Sequence, residues 1–112
     1  MAEIGAALAV MTTTDSAELA ERLAAGAVER RLAACAQISA PVTSCYRWEG
    51  EIRTDREWQV LLKTTDERFG DLERYLKEAH SYDLPEIIAF PVVRGSADYL
   101  RWVSAETTAP AG

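Results

Sequence analysis

Two extended runs, Ala33 to Trp48 and Glu51 to Thr64, meet at a Glu49-Gly50 turn signal, and this hairpin restricts the possible folds more than any other feature of the chain. At about 3.3 Å per residue, a run of roughly 14 residues extends about 45 Å. The helix expected before it, about 16 residues, covers only about 24 Å. The hairpin therefore overhangs any body the rest of the chain can build. A long overhang with free edges invites further pairing, most simply with another copy of the same chain. Pro41 removes a ladder donor from the first run and marks a bend or an edge there.

The remaining residues supply the body. Ala6 to Thr13 reads as a first strand, apolar on both faces. Asp15 with Glu18 resembles a capping box, and the helix it opens carries Leu19, Ala20, Leu23, Ala24, Ala27 and Val28 at helical spacing, ending near Arg31. Asp66 and Glu67 open a second helix with the stripe Phe69, Leu72, Leu76 and Ala79. His80 to Leu84 is a turn, and Pro85 to Val93 is the last strand. Ser96 caps a short final helix bearing Tyr99, Leu100, Trp102 and Val103. The order β-α-β-β-α-β plus a helix predicts an α+β, ferredoxin-like fold: one antiparallel sheet with both main helices on one face. A wet second face would alternate apolar and polar residues. Here Ala7, Ala9 and Met11 back onto Leu8 and Val10, and Ile87 onto Ile88, so the second face reads as covered by something else. Residues 1–112 form one domain, with a frayed tail from about residue 106.

Composition excludes several function classes. With 48% apolar residues and three Trp, the chain is not a disordered polar one. A net charge of −6 and the absence of aromatic RNP strings argue against a nucleic-acid partner. Arg30-Arg31, the one adjacent basic pair, opposes the negative end of the first helix. The run Ile4 to Met11 is too short to span a bilayer, and Glu3 is unlike the basic start of a signal peptide, so no membrane partner is expected. Cys35 and Cys45 stand ten residues apart on one extended segment. That is about 33 Å, far beyond the roughly 7 Å limit for bridging Cα atoms. Free thiols fit a reducing, cytoplasmic setting.

The strings RLAACAQI, PVTSCYRWEGEI, LLKTT, HSYDLPEIIAFPV and DYLRWV occur in the order and spacing of the CutA divalent-cation tolerance family, which the chain resembles from about Ala9 to about Thr107. The resemblance implies a cytoplasmic homotrimer that binds divalent metal ions, copper especially, serves metal tolerance and performs no catalytic turnover. The family is also similar in architecture to the nitrogen-regulatory PII proteins. That implies an alternative: a signalling trimer with small-molecule clefts between subunits. The sequence departs from the family pattern at His80-Ser81-Tyr82-Asp83, where His-Pro-Tyr-Glu is usual, at Cys45, where an aliphatic residue is usual, and at Ala36-Gln37, where Val-Asn is commoner.

The resemblance points to His80, Cys35 and Glu86 as metal ligands, a borderline, a soft and a hard donor. Taken by themselves these residues have plainer readings. His80, the only histidine, is also a cation at a helix C-terminus; Cys35 is also a small buried hydrophobe; and no CxxC or HExxH spacing accompanies them. Tyr46, Trp48, Lys63 and Tyr82 are the candidate lining of a ligand pocket, although aromatics beside a hairpin turn often serve packing. Lys63 and Glu86 would pair with each other, or across an interface, if buried. An enzyme with Cys35 as nucleophile and His80 as base would also need an oxyanion site, and no Gly-rich loop offers one.

Overall fold

The computed structural model describes residues 6–109. The start of the apolar N-terminal run, at Ile4 and Gly5, and the last part of the expected tail, 110–112, lie outside the described residues. The elements are β1 (Ala7–Thr14), α1 (Ala17–Glu29), β2 (Cys35–Ile38), β3 (Val42–Trp48), β4 (Glu51–Thr65), α2 (Asp66–Ala79), β5 (Ile88–Pro91) and α3 (Ala97–Glu106). They form an antiparallel sheet in the order β2-β4-β1-β5, with β3 also paired to β4. This is the expected α+β, ferredoxin-like arrangement, and β4 is its spine.

The core forms because Val10, Val60 and Leu62 point to the face that α1 and α2 cover with Leu19, Ala20, Leu23, Ala27, Leu72 and Leu76, all buried. Burying each Leu contributes about 2 kcal/mol. The two helices approach closely at Gly26, where a Cβ would run into Tyr75 Oη. That phenol donates toward the carbonyls of Leu23 (3.1 Å) and Arg22 (3.3 Å).

The hairpin overhang is real. β1 pairs with Trp58 to Thr65 only, and β3 with Glu51 to Glu57 only. The edge of β4 on the β1 side is therefore free from Glu51 to Glu57 among the described residues. The longest dimension of the molecule is 52 Å, close to the roughly 50 Å that a 15-residue strand spans. Glu49 (φ 51°) and Gly50 (φ 79°) both sit in the left-handed region, as a two-residue hairpin with the twist of its strands requires.

Several boundaries differ from expectation. The long run before the hairpin is two strands. Between the pairs Ile38–Val60 and Val42–Glu57, three residues, Ser39 to Pro41, oppose two on β4. This is a bulge, placed where Pro41 has no N–H to donate. It reverses the alternation, so Tyr46 and Trp48 continue the face on which Cys35 lies, and Cys45 takes the other. The first helix is capped by Ser16, not Asp15: Leu19 N–H donates to Ser16 Oγ at 3.1 Å. α1 ends at Glu29 because Arg31 turns left-handed (φ 59°). Arg31 then donates to the Ala105 carbonyl and pairs with Glu106. The last strand is only Ile88–Pro91, because the segment after α2 is drawn toward β1 and β4 by side-chain bonds. α3 packs against β1 and β4 on the second sheet face, where Ala7 and Thr65 are buried, so that face is covered at one end by the chain itself. Chain order persists past Glu106: Thr107 is buried and donates to the Val103 carbonyl at 2.8 Å.

Candidate functional site

A cleft of about 790 Å³ opens between the β3–β4 arm and the segment that follows α2. The arm supplies one wall because alternation places Tyr46 and Trp48 on the same face as their register neighbours Arg53 and Glu51, with Glu57 further along. The opposite wall runs from Ser81 to Glu86.

His80 fastens that second wall. The Tyr82 N–H donates to His80 Nδ1 at 3.0 Å, which leaves the ring proton on Nε2. Nε2 in turn donates to the Thr13 carbonyl at 2.8 Å. Both nitrogens are thus occupied, and the chain leaving α2 is bent back over the end of β1. The bend brings the Tyr82 ring to 4.8 Å from the imidazole, centroid to centroid, and lets its hydroxyl donate to Glu57 Oε2 at 2.8 Å. Burial, and then this bond to a carboxylate, push the Tyr82 phenol well above its ordinary pKa. The Tyr46 hydroxyl donates to Asp55, and that bond raises its pKa too. Glu57 is only 8% exposed, and among the described residues its carboxylate has no ion pair with any Lys, Arg or His.

Of the candidate pocket residues, Tyr46, Trp48 and Tyr82 line the cleft together, and Lys63 does not. Lys63 stands in register with Cys35 and Ala9 and donates to Gln37 Oε1 at 2.5 Å, not to Glu86. Of the candidate metal ligands, Glu86 is on the cleft wall and His80 is bonded directly behind it. Cys35 is elsewhere. Its register row meets β1 at Ala9, four residues or about 13 Å along the strand from the Thr13 that His80 touches. The Cys35 thiol lies beside the Tyr99 phenol, whose pKa is raised by burial and by this neighbour. Among the described residues, no three His, Cys, Asp or Glu side chains gather into a metal-holding group. Both cysteines are free thiols. The cleft residues that the sequence reading passed over include Glu57, Arg47, Arg53 and Thr13. Glu57 carried a signal, a carboxylate in step with Gln59 and Leu61 at the start of the covered part of β4.

Comparison with known proteins places this architecture. The family model for "CutA1 divalent ion tolerance protein" matches residues 8–106. The divalent-cation tolerance protein CutA of Thermus thermophilus is 43% identical over 98 residues, covering 88% of this chain and 95% of that protein. Its solved structure superimposes with a TM-score of 0.89 over 90% of this chain and 98% of that one. The CutA protein of Escherichia coli O139:H28 is 39% identical over 89% of each chain. The crystal structure of CutA1 from Oryza sativa gives a TM-score of 0.90 at 34% identity, covering 94% of this chain and 97% of that one. Members of the family are ion-tolerance proteins without catalytic turnover. This chain belongs to the CutA1 divalent ion tolerance family.

Proposed function

We propose that the protein acts in metal-ion tolerance as a cytoplasmic homotrimer that binds a divalent ion, copper foremost, without turnover. Family membership supports the tolerance role. The observation that carries the assembly is the edge of β4 from Glu51 to Glu57, free among the described residues, together with exposed Ile88 and Phe90 on the edge strand β5. A second copy satisfies the unpaired backbone and covers the apolar side chains. One chain by itself does not fit a copper ion: His80 has both nitrogens engaged, and Cys35 is remote. The metal reading therefore assigns the ligands to more than one copy, with Glu86 on the cleft wall as a donor and His80 joining only by giving up a hydrogen bond. Light scattering should give about three times the 12.3 kDa chain mass, and a 12.3 kDa particle at micromolar concentration overturns the trimer. Calorimetric titration with copper should show binding that weakens in Glu86→Gln; equal affinity removes Glu86 from the site. The cleft itself favours a second reading, a small-molecule sensor of the PII-like kind, because its volume is that of an ordinary ligand pocket.

A further inference from the structure

Glu57 is the least expected residue in the cleft. The residue is only 8% exposed, and among the described residues its one side-chain hydrogen bond comes from the neutral Tyr82 hydroxyl, which donates to Oε2 at 2.8 Å. Charged carboxylates removed from water are ordinarily matched by a cation. The nearest candidates on the cleft wall do not serve. Arg53 leans to the exposed Glu51 at 3.9 Å, and Arg47 is exposed on a β3 position that alternates away from Tyr46 and Trp48. Tyr46 and Trp48, 40% and 37% exposed, stand on the Glu57 face of the arm, with Tyr82 opposite. Aromatic faces attract cations, most strongly where water is thinned out. Within one chain a bare metal ion is a poor match, since no three donor side chains converge there among the described residues.

We propose that this cleft binds an organic cation, an ammonium or guanidinium group on an apolar or aromatic body, with Glu57 as its counter-ion and Tyr46, Trp48 and Tyr82 as its walls. The proposal rests on the small-molecule reading of the cleft, and Glu57→Gln, which leaves Glu86 in place, separates it from the copper reading. An anion is the disfavoured class: Asp83 and Glu86 join Glu57 on the lining, three carboxylates against the two guanidinium groups of Arg47 and Arg53.

Three size-matched probes test it: benzylamine (a cation at neutral pH), benzyl alcohol (neutral) and benzoate (an anion), each titrated calorimetrically into the full chain. Benzylammonium should bind at least about tenfold more tightly than benzyl alcohol, and benzoate most weakly, because a charge-assisted bond to the Glu57 carboxylate discriminates by that much. Glu57→Gln keeps the volume and an acceptor for Tyr82, and should lose about tenfold for benzylammonium while leaving benzyl alcohol unchanged. Should that variant lose its native circular dichroism, Trp48→Leu, at an exposed wall position, supplies the second arm and should weaken benzylammonium several-fold. Benzyl alcohol or benzoate binding as well as benzylammonium, or unaltered affinity in the folded variants, overturns the cation assignment and leaves the cleft a ligand site of another class. No binding by any probe at millimolar concentration overturns the ligand cleft along with it.

Discussion

Thr12→Val and Thr14→Val each replace a hydroxyl by a methyl at a strand position that is fully buried. Among the described residues neither hydroxyl has a hydrogen-bond partner: Thr12 Oγ1 and Thr14 Oγ1 sit on the helix-facing side of β1 with nothing there to donate to. A buried, unsatisfied hydroxyl costs about 1–3 kcal/mol relative to its hydrated state. Valine keeps the β-branch, so rotamer freedom and strand preference barely change. Each substitution should therefore stabilise by about 1 kcal/mol, raising Tm by about 3–6 °C for a domain of this size, and the pair by about twice that. Thr64 supplies an internal contrast. It is also fully buried, but its hydroxyl donates to the Leu32 carbonyl at 2.6 Å. The same substitution there should destabilise by about 1–2 kcal/mol, since it strands a buried carbonyl. Urea titrations at one protein concentration, with the slope checked for constancy, measure all three without confounding by association. If Thr12→Val and Thr14→Val lose as much as Thr64→Val, the two hydroxyls have partners and the reasoning fails.

Other measurements bear on different parts of the molecule. All four tyrosines, Tyr46, Tyr75, Tyr82 and Tyr99, have phenols raised above the ordinary value of 10.0, so the midpoint of the rise in tyrosinate absorbance should lie above that pH. Raised acid pKa values contribute stability that is complete below the unfolded value near 10 and is lost as pH climbs toward the folded values; Tyr82→Phe should remove the last-titrating phenol, and a phenol titrating at 10 in the native protein would contradict the assignment. Gly26→Ala should destabilise by about 1 kcal/mol despite the better helix propensity of alanine, because its Cβ displaces Tyr75 Oη, and a cycle with Tyr75→Phe should show coupling of about 1 kcal/mol. Additive effects would mean that the ring moves aside freely. Cys45 is exposed and Cys35 half-buried, so alkylation of the native protein should label Cys45 first, with two labels per chain after denaturation; an internal disulfide peptide would contradict the register of β2 and β3.

The element order and the helix faces were legible because period is a local property, although the cap of α1 lies one residue beyond the expected Asp15. Leu19, Leu23, Leu72 and Leu76 announce their buried stripes through spacing alone. The overhang was legible from lengths. What alternation could not carry was the bulge at Ser39 to Pro41: a single extra residue exchanges the faces of everything after it, and Pro41 marked the break without giving its residue count. The site was half legible for a related reason. Tyr46, Trp48, Tyr82 and Glu86 line one cleft, but Lys63 and Cys35 share a row across the middle of the sheet, and only the register separates them from it. His80 was read through its metal chemistry, whereas its two bonds, to Tyr82 N–H and to the Thr13 carbonyl, depend on where the chain goes after α2.

One strand, β4, borders three others, and this sets an order of events during synthesis. β1 emerges first but has no neighbour until Trp58 to Thr65 and Ile88 to Pro91 have been made. At ribosomal speeds of roughly 5–20 residues per second, that leaves an apolar strand waiting for several seconds. The β3–β4 hairpin, by contrast, can close within microseconds of leaving the ribosome. The arm is thus the natural first structure on the nascent chain, and β1 inserts afterwards between β4 and β5. A ribosome paused before β4 is complete should hold a chain whose first strand is accessible to a chaperone or a protease, and release from the pause should hide it.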